Sequence, residues 1–454
     1  MSRDTITNQP IRSFPSHRTL RFQGAPIDAR AIRHRPPRAV TSEEGEVLTL
    51  LTRTLRELMQ QSDLEAGDIL LRCDQYEASA LGEYVPEVGC DPIAITLRAC
   101  ATRKGRSDPH WQTAVRAAVR AASASSDTID LGGLARTCDA LRVTLIRNEH
   151  VDTADRHTLS RAQELGLLSG AAGLARYRAS RFSELTATAY PNASADVLQI
   201  ANDWHYWLWS FDDRTDVRGG DLATDLARHE RVVSSLLELL AGRDVSTTAE
   251  ATDPNVRFLA LILAELQAVA PAGCVDRFRG AVREYLLRGS LPGARNWATD
   301  HTPDPETFLA QRIHEGAYNT VLPFIELAVG SATEDDVVTS AEARRAALLS
   351  NLIVVVSNDI FSYEKEVQQE GNPNNLLHAV MTHEHRSLRG GYLRAVALVE
   401  EWTGELLAID ARAEGALRRY IRGSYTWIVA SYHWHFLTGR YASKTSPFTE
   451  LRRS

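Results

Sequence analysis

The chain has 454 residues, with 51 basic and 58 acidic side chains, and its formal net charge at neutral pH is −7. This balance excludes a chain-wide basic surface for nucleic acid, and the length predicts two or three domains. Hydrophobic residues make up 44% of the chain, as in ordinary folded proteins. No stretch approaches the ~18 consecutive apolar residues of a membrane span, so none is expected. The cysteines form no CxxC pair, and we expect reduced thiols in a cytoplasmic protein.

Residues 1–40 differ in composition from the rest of the chain. They hold eight arginines, five prolines and two aspartates, which gives a local charge of +6. Charge and proline without apolar periodicity predict a disordered basic tail. An organelle-targeting peptide or a contact with an anionic surface is the less favoured alternative.

Residues 41–144 have the pattern of a small helical module of unknown function. A helix start at residues 41–44 precedes leucines and a valine at helical spacing, and further helices are predicted near residues 110–123 and 134–146. The module contains no catalytic constellation. Stabilisation of the rest of the chain is one hypothesis for its role, and formation of a homodimer is another.

Residues 145–454 are dominated by helical periodicity, which predicts a single all-α domain. Turn-forming residues mark predicted loops at 190–192, 242–254, 289–305 and 370–375. The glycine fingerprints of dinucleotide-binding and nucleoside-triphosphate-binding folds do not occur in this part of the sequence.

The first chemical signal is an aspartate-rich motif, Asp212–Asp216, that closes the aromatic run 204–211. Four residues apart on a helix, Asp212 and Asp216 share one face with Cβ atoms about 5–6 Å apart. Their like charges repel unless a cation lies between them, and Mg²⁺ suits a few carboxylates completed by water and phosphate. A solvated acidic helix end is the alternative interpretation.

The second signal is the segment 358–366, which follows an almost wholly apolar helix. Asn358, Ser362 and Glu366 stand at intervals of four residues, so amide, hydroxyl and carboxylate oxygens stack along one face. Hard oxygen ligands of low total charge suit Mg²⁺ rather than zinc. Polar groups at the end of a buried helix are costly unless they are satisfied, which favours a functional role.

Together the two motifs resemble those of the bacterial-type class I terpene synthases, a family with a DDxxD motif on one helix and an NDxxSxxxE triad on the facing helix. The resemblance covers residues 145–454 and implies that family's α-helical bundle. Other positions fit a diphosphate-sensing arginine with its linker and effector, a lysine before the last glutamate of the triad, and a C-terminal Arg-Tyr pair. They are Arg312, Glu315, Gly316, Lys365, Arg440 and Tyr441.

The resemblance implies that a linear prenyl diphosphate is ionised with three Mg²⁺ ions and cyclised as diphosphate leaves. It assigns the metals to Asp212, less firmly to Asp216, and to Asn358, Ser362 and Glu366. It assigns the diphosphate to Arg312, Lys365, Arg440 and Tyr441, and it pairs Asp213 with Arg312. Farnesyl diphosphate and a sesquiterpene product are favoured over geranylgeranyl diphosphate and a diterpene.

A carbocation needs a dry pocket with electron-rich walls, and aromatic faces supply them. Trp209, Phe361 and Trp434 are the wall candidates. An elongating prenyltransferase would need a second DDxxD motif where this chain has 358–362, and a class II cyclase would need DxDD, which does not occur. A non-catalytic scaffold of the same fold is the distant alternative.

Overall fold

A computed structural model of the chain describes residues 129–215, 220–384 and 386–452. The predicted basic tail, nearly all of the predicted helical module and Asp216 lie outside the described residues. Contacts divide the chain into two units, Met1–Asp127 with His385–Gly390, and Thr128–Glu384 with Gly391–Ser454. The second unit contains the two motifs, and the description below concerns it.

This unit begins earlier than the sequence boundary at residue 145. Backbone hydrogen bonds tie its first residues to its last: the amide of Ile129 donates to the carbonyl of Pro447 at 2.7 Å, and the amide of Thr449 donates to the carbonyl of Ile129 at 3.0 Å. The helix expected at 134–146 spans Gly132–Ala140 (α1) instead. Long-range backbone pairing therefore ties residues near 129 to the unit that contains both motifs, and the predicted domain boundary at residue 145 stays a prediction.

The described residues are helical, with only two isolated β-bridges and no strand. Past α1 the α-helices are numbered in chain order. They are α2 Val151–Glu164, α3 Gly170–Ser180, α4 Phe182–Ala189, α5 Ala195–Thr215, α6 Leu226–Leu240, α7 Pro254–Val269, α8 Ala272–Glu284, α9 Leu291–Ala298, α10 Pro305–Glu315, α11 Leu322–Ala328, α12 Asp335–Val338, α13 Ala341–Tyr363, α14 Leu376–His383, α15 Leu388–Arg412 and α16 Gly415–Leu437.

Local sequence explains where the helices that carry the site begin. Helix α10 starts at a proline behind Asp304, whose side chain accepts hydrogen bonds from the amides of residues 306 and 307. Ser340 caps α13, and Asn375 caps α14, each by accepting from a backbone amide of the first turn. These caps satisfy amide groups that a helix leaves unpaired at its start.

One predicted loop is wrong. Residues 289–305 were expected to be irregular, but a π-helical turn, Tyr285–Ser290, continues directly into α9. The chain becomes irregular only after α9, at residues 299–304. Glycine and proline in this stretch are compatible with helical structure. Pro292 lies in the first turn of α9, where its missing N–H costs nothing. Gly289 is in close contact with α10, because a Cβ at this position would lie only 2.5 Å from Cα of Glu315.

Helix α13 runs through the middle of the unit. It packs against α10, α14 and α16, and its residues 352–356 are all buried. Together with the π-helical extension Glu364–Glu370 it is long and apolar enough to cross a membrane, but 89% of its most apolar window is buried inside the protein. Its apolar character is therefore explained by its central position in the fold.

Helix α5 divides its aromatic run between two faces. Trp204, Trp207 and Phe211 are fully buried and stack on one another, with ring centroids 4.9 and 5.0 Å apart. The other face carries Trp209 and Asp212 into a cavity. One face of α5 thus packs in the core, and its other face forms one wall of the cavity.

Candidate active site

A cavity with a polar mouth and an apolar, aromatic interior lies between α4, α5, α10, α13 and α16. Its lining includes residues from both sequence motifs. The lining residues on which the description below depends are His205, Leu208, Trp209, Asp212, Arg312, Glu315, Gly316, Tyr318, Val355, Asn358, Glu366, Trp427, Trp434, His435 and Tyr441.

The aspartate-rich motif stands at the C-terminal end of α5, at the mouth of the cavity. The Asp212 side chain is 44% exposed, and its carboxylate lies 4.0 Å from the guanidinium of Arg440. Burial raises the pKa of Asp212, and the charges of Asp213 and Glu366 add to the rise. Lys365 and Arg440 act in the opposite direction without cancelling it. The carboxylates of Asp212 and Glu366 therefore repel each other across the cavity mouth, and a divalent cation between them would relieve this repulsion.

The second motif begins on α13 and ends in the π-helical extension. Asn358 and Glu366 line the cavity, and the buried hydroxyl of Ser362 donates to Glu366 at 2.7 Å. The side-chain amide of Asn375 also donates to Glu366, at 3.4 Å. Ser362 and Glu366 are thus joined by a hydrogen bond, while the side-chain oxygen of Asn358 accepts from Arg312 at 2.9 Å.

Arg312 is bonded to the second motif and not to the first. Its Nε donates to the carboxylate of Asp359 at 2.8 Å, and its Nη2 donates to the side-chain carbonyl of Asn358 at 2.9 Å. Burial raises the pKa of Asp359 to about 7 despite the charge of Arg312. Asp359 also accepts from the amide of Leu376, so it joins α10, α13 and α14. Sequence reasoning missed this residue, although it stands inside the motif.

The predicted pairing of Asp213 with Arg312 is corrected. Asp213 accepts a hydrogen bond from Nη2 of Arg440 at 2.9 Å, while the fully buried carboxylate of Asp359 pairs with Arg312. Burial raises the pKa of Asp213, but Arg440 lowers it further, and the net shift is downward. Leaving the buried Asp359 without a cation would cost more free energy than leaving the half-exposed Asp213 without one, and this accounts for the pairing of Arg312 with Asp359.

Arg440 and Tyr441 follow α16 on a segment that contacts α3, α4 and α13. The amide of Gly439 donates to the carbonyl of Ala179 at 2.8 Å, and the guanidinium of Arg440 lies 5.8 Å from the ring centre of Phe182. The hydroxyl of Tyr441 accepts from the side-chain amide of Asn358 at 3.3 Å. Both residues therefore stand at the mouth, beside the two motifs.

Lys365 lies on the π-helical extension, next to Glu366. Its ammonium group is 3.4 Å from the carboxylate of Glu370, and its side chain is 18% exposed. Its charge acts on Asp212, Asp213 and Tyr441, which places it on the same side of the site as the Arg-Tyr pair. The cationic groups predicted from the sequence are thus gathered at one end of the cavity.

The predicted linker and effector residues stand at a break in helical structure. Helix α10 ends at Glu315, Gly316 is its C-terminal cap, and Ala317 has a left-handed φ of 54°. A Cβ on Gly316 would overlap Cγ1 of Val355. Burial raises the pKa of Glu315 to about 8, and one of its oxygens has no hydrogen-bond partner among the described residues.

Two of the three predicted wall residues line the cavity. Trp209 and Trp434 do so, with ring centroids 5.2 Å apart. Phe361 does not line it, and this prediction is wrong. Its ring is buried against α16, stacked on His435 at 4.5 Å, because that side of α13 faces another helix.

Sequence reasoning missed four lining residues: His205, Tyr318 and Trp427, which form the deeper wall, and His435, which lies beside Asn358. The two histidines are buried, and burial lowers the pKa of each to about 4. His205 lies in the aromatic run, two helical turns before Asp212. This spacing was the sequence signal that would have predicted that the two residues share a face of the helix.

A separate acidic cluster lies away from the cavity. His157, Asp203 and Glu265 bring possible ligand atoms within 4.8 Å of one another. Arg161 binds both carboxylates, at 2.6 Å to Asp203 and 2.5 Å to Glu265, and so supplies the positive charge. The cluster is an ion-pair network between α2, α5 and α7.

Comparison with known proteins gives the same family as the motifs. Residues 203–405 match the family described as "Terpene synthase family 2, C-terminal metal binding". The chain is 31% identical over 316 residues to a (+)-T-muurolol synthase, described as (2E,6E)-farnesyl diphosphate cyclizing, from Roseiflexus castenholzii. That match covers 64% of this chain and 90% of the relative. The chain belongs to the bacterial-type class I terpene synthases.

This terpene synthase has further relatives of similar description. A 4-epi-cubebol synthase of Streptosporangium roseum, also described as farnesyl diphosphate cyclizing, is 27% identical over 301 residues, covering 65% of this chain and 88% of the relative. The solved structure of a linalool/nerolidol synthase from Streptomyces clavuligerus has a TM-score of 0.56 at 20% identity, covering 64% of this chain and 98% of that structure. It shows that the terpene synthase described here has the class I α-helical fold.

Proposed function

We propose that this terpene synthase is a Mg²⁺-dependent sesquiterpene cyclase that ionises farnesyl diphosphate, cyclises the resulting cation and releases diphosphate. One observation supports the proposal: acidic and amide side chains of two motifs and a set of cationic side chains lie together at the mouth of an aromatic cavity. Relatives described as farnesyl diphosphate cyclizing support the fifteen-carbon substrate.

The donor set fits a hard divalent cation. Asp212 and Glu366 provide carboxylate oxygens, while Asn358 and Ser362 provide an amide and a hydroxyl oxygen, and the raised pKa of Asp212 reflects burial and crowding by acidic groups. When bound, three Mg²⁺ ions would neutralise the diphosphate and so favour cleavage of its C–O bond. Asp216 is proposed as a weaker ligand beside Asp212.

The cationic residues would hold the leaving group. Arg312 and Arg440 now pair with Asp359 and Asp213, at 2.8 and 2.9 Å. Diphosphate oxygens would compete with these carboxylates for the guanidinium groups, since both accept charge-assisted hydrogen bonds. Lys365 and the hydroxyl of Tyr441 complete the proposed binding set, so that negative charge developing during ionisation meets fixed donors.

The interior would control the fate of the cation. Trp209, Trp427 and Trp434 present indole rings to the cavity, and a cation over such a ring gains about 0.5–2 kcal/mol or more when desolvated. Leu208 and Val355 add apolar surface, which provides no nucleophile. These two side chains also offer water no hydrogen-bond partner.

The test incubates the purified full chain with ten-, fifteen- and twenty-carbon linear diphosphates, with and without Mg²⁺. Mass spectrometry of extracted products should show a cyclic fifteen-carbon product only when farnesyl diphosphate and Mg²⁺ are both present. A cyclic product from geranylgeranyl diphosphate alone would overturn the substrate and keep the cyclase. No cyclic product from any substrate would overturn the function.

Ligand variants test the metal assignment separately. Asn358→Ala and Glu366→Ala should each abolish turnover while circular dichroism shows a folded protein. Gln369→Ala is the matched control, because Gln369 is exposed on the same π-helical segment as Glu366. Full activity of either ligand variant would show that the triad does not hold a metal needed for ionisation.

A further inference from the structure

A histidine forms part of the deep wall of the cavity, far from the diphosphate end. His205 is 1% exposed and lies seven residues before Asp212 on α5, which is about 10 Å along the helix axis. It lines the same cavity as Asp212. A prenyl chain whose diphosphate is held at the mouth would therefore extend toward this ring.

The hydrogen bonds of His205 define its tautomer. Its Nδ1 lies 2.6 Å from the carbonyl oxygen of Ala201, which can only accept, so Nδ1 carries the proton. Among the residues that the structure describes, its buried Nε2 has no hydrogen-bond partner. Burial lowers the pKa of the ring to about 4, so the lone pair on Nε2 is unprotonated at neutral pH.

Two indole rings hold the imidazole between them. Trp209 stacks on one side with ring centroids 5.7 Å apart, and Trp427 stacks on the other at 6.0 Å. Tyr190 meets the ring edge at 5.8 Å, and its hydroxyl is taken by the indole N–H of Trp427. A positive charge that forms on His205 would lie between two electron-rich faces, which stabilise a desolvated cation.

The other buried groups of the lining that could accept a proton are engaged or already protonated. Nε2 of His435 lies 3.1 Å from the side-chain amide of Asn358, which donates to it. Glu315, with its pKa raised by burial to about 8, holds its proton at neutral pH and stands beside Arg312 at the diphosphate end. Within the described part of the cavity, His205 is thus the base available at depth.

We propose that Nε2 of His205 removes the proton that ends the carbocation cascade, an inference that rests on the proposed cyclase function. A C–H bond next to the cationic carbon breaks, its electron pair forms the new C=C bond, and the proton forms an N–H bond on Nε2. The products are a neutral cyclic olefin and a His205 imidazolium, so charge and atoms balance.

The imidazolium then returns to its neutral form by giving its proton to water when the product leaves. Its environment makes this easy, because burial disfavours the charged ring. A weak base is sufficient for the forward step, since a carbocation is a far stronger acid than an imidazolium. The position of Nε2 would decide which carbon loses its proton, so His205 would also help to determine the product.

The experiment compares two substitutions of this residue in the full chain with farnesyl diphosphate and Mg²⁺. His205→Phe keeps an aromatic ring between the indoles and removes the lone pair, while His205→Gln keeps a donor for Ala201 in case the first variant does not fold. His229→Gln is the matched control, because His229 is also buried, with a pKa lowered to about 4, but bonds to Ser290 outside the lining. Diphosphate release and the products are measured together.

The expected result is a split between the two measurements. Diphosphate release should stay within about threefold of the parent, while the share of the main olefin falls by about tenfold or more in favour of alcohols or double-bond isomers. The control should keep the parent product ratio. An unchanged ratio in the folded His205 variants would overturn the inference, and so would loss of diphosphate release. Failure of the parent itself to release diphosphate would instead overturn the proposed function.

Discussion

Gly316 offers a stringent test of the packing at the break after α10. Its φ of −69° and ψ of −1° are open to any residue, so backbone strain gives no reason for a glycine here. The reason is steric, because an added Cβ would overlap Cγ1 of Val355 and lie 3.3 Å from the carbonyl oxygen of Arg312. Gly316→Ala should therefore force Val355 out of its place in the cavity wall.

The magnitude follows from two opposing effects. Overpacking of a closed interior costs about 1–3 kcal/mol, and the reduced freedom of the unfolded chain offsets about 0.4–1 kcal/mol of that. We expect Gly316→Ala to lower the free energy of unfolding by about 1–2 kcal/mol. Val355→Ala, which removes two buried methyl groups, should cost about 2 kcal/mol.

The double variant distinguishes this explanation from a general loss of stability. With Val355 truncated, the new methyl group occupies the space left free, and the double variant should be about 1–2 kcal/mol more stable than the sum of the single effects. Urea unfolding of all four proteins measures the coupling. Additivity within about 0.5 kcal/mol would refute the steric reasoning, as would a Gly316→Ala protein as stable as the parent.

Three further outcomes follow from contacts in the site. Asp359→Asn should lower the free energy of unfolding by about 3 kcal/mol, because it leaves the buried guanidinium of Arg312 without its counter-charge; a loss below about 1 kcal/mol in urea unfolding would contradict this. In Glu315→Gln, measured without metal, the free energy of unfolding should gain on that of the parent between pH 4.5 and 8, since the unfolded carboxyl ionises from pH 4.5 while the folded one keeps its proton to about pH 8. The gain should be about 5 kcal/mol by pH 9, and parallel pH curves would contradict it. Trp209→Leu should change the product mixture, whereas Phe361→Leu should lower the melting temperature and leave the products unaltered; gas chromatography of both reactions decides, and a product change only with Phe361→Leu would reverse the assignment.

The sequence predicted the helical positions of the second motif's polar residues because helical spacing is a local property; their role as metal ligands stays a prediction. Asn358 and Ser362 are one turn apart on α13, and Glu366 follows in the π-helical extension, where Ser362 reaches it at 2.7 Å. The gathering of Arg440 and Tyr441 beside them was predicted from the family resemblance, since nothing local to residues 440–441 indicates that they meet α13.

Two failed predictions about side-chain contacts share a physical cause. Asp213 pairs with Arg440 and Phe361 packs on His435, and both contacts join elements that are distant in the chain. Periodicity shows which side chains share a face, but the helix opposite that face depends on the packing of the whole unit. The backbone pairing of Ile129 with residues 447–449 was not predicted for the same reason, because it joins segments far apart in the chain.

The pairing of Ile129 with residues 447–449 has a consequence for how the protein is made. Two segments about 320 positions apart in the chain must meet, and synthesis supplies the second of them only after both motifs have been made. Ser443 and Thr445 then bond to Glu364 at 2.7 and 2.8 Å, which fastens the stretch that follows Tyr441 against the π-helical extension. Residues 440 and 441 are therefore held between a contact to Ala179 before them and contacts to Glu364 after them, and the later contacts form only when residues 443–445 have been made.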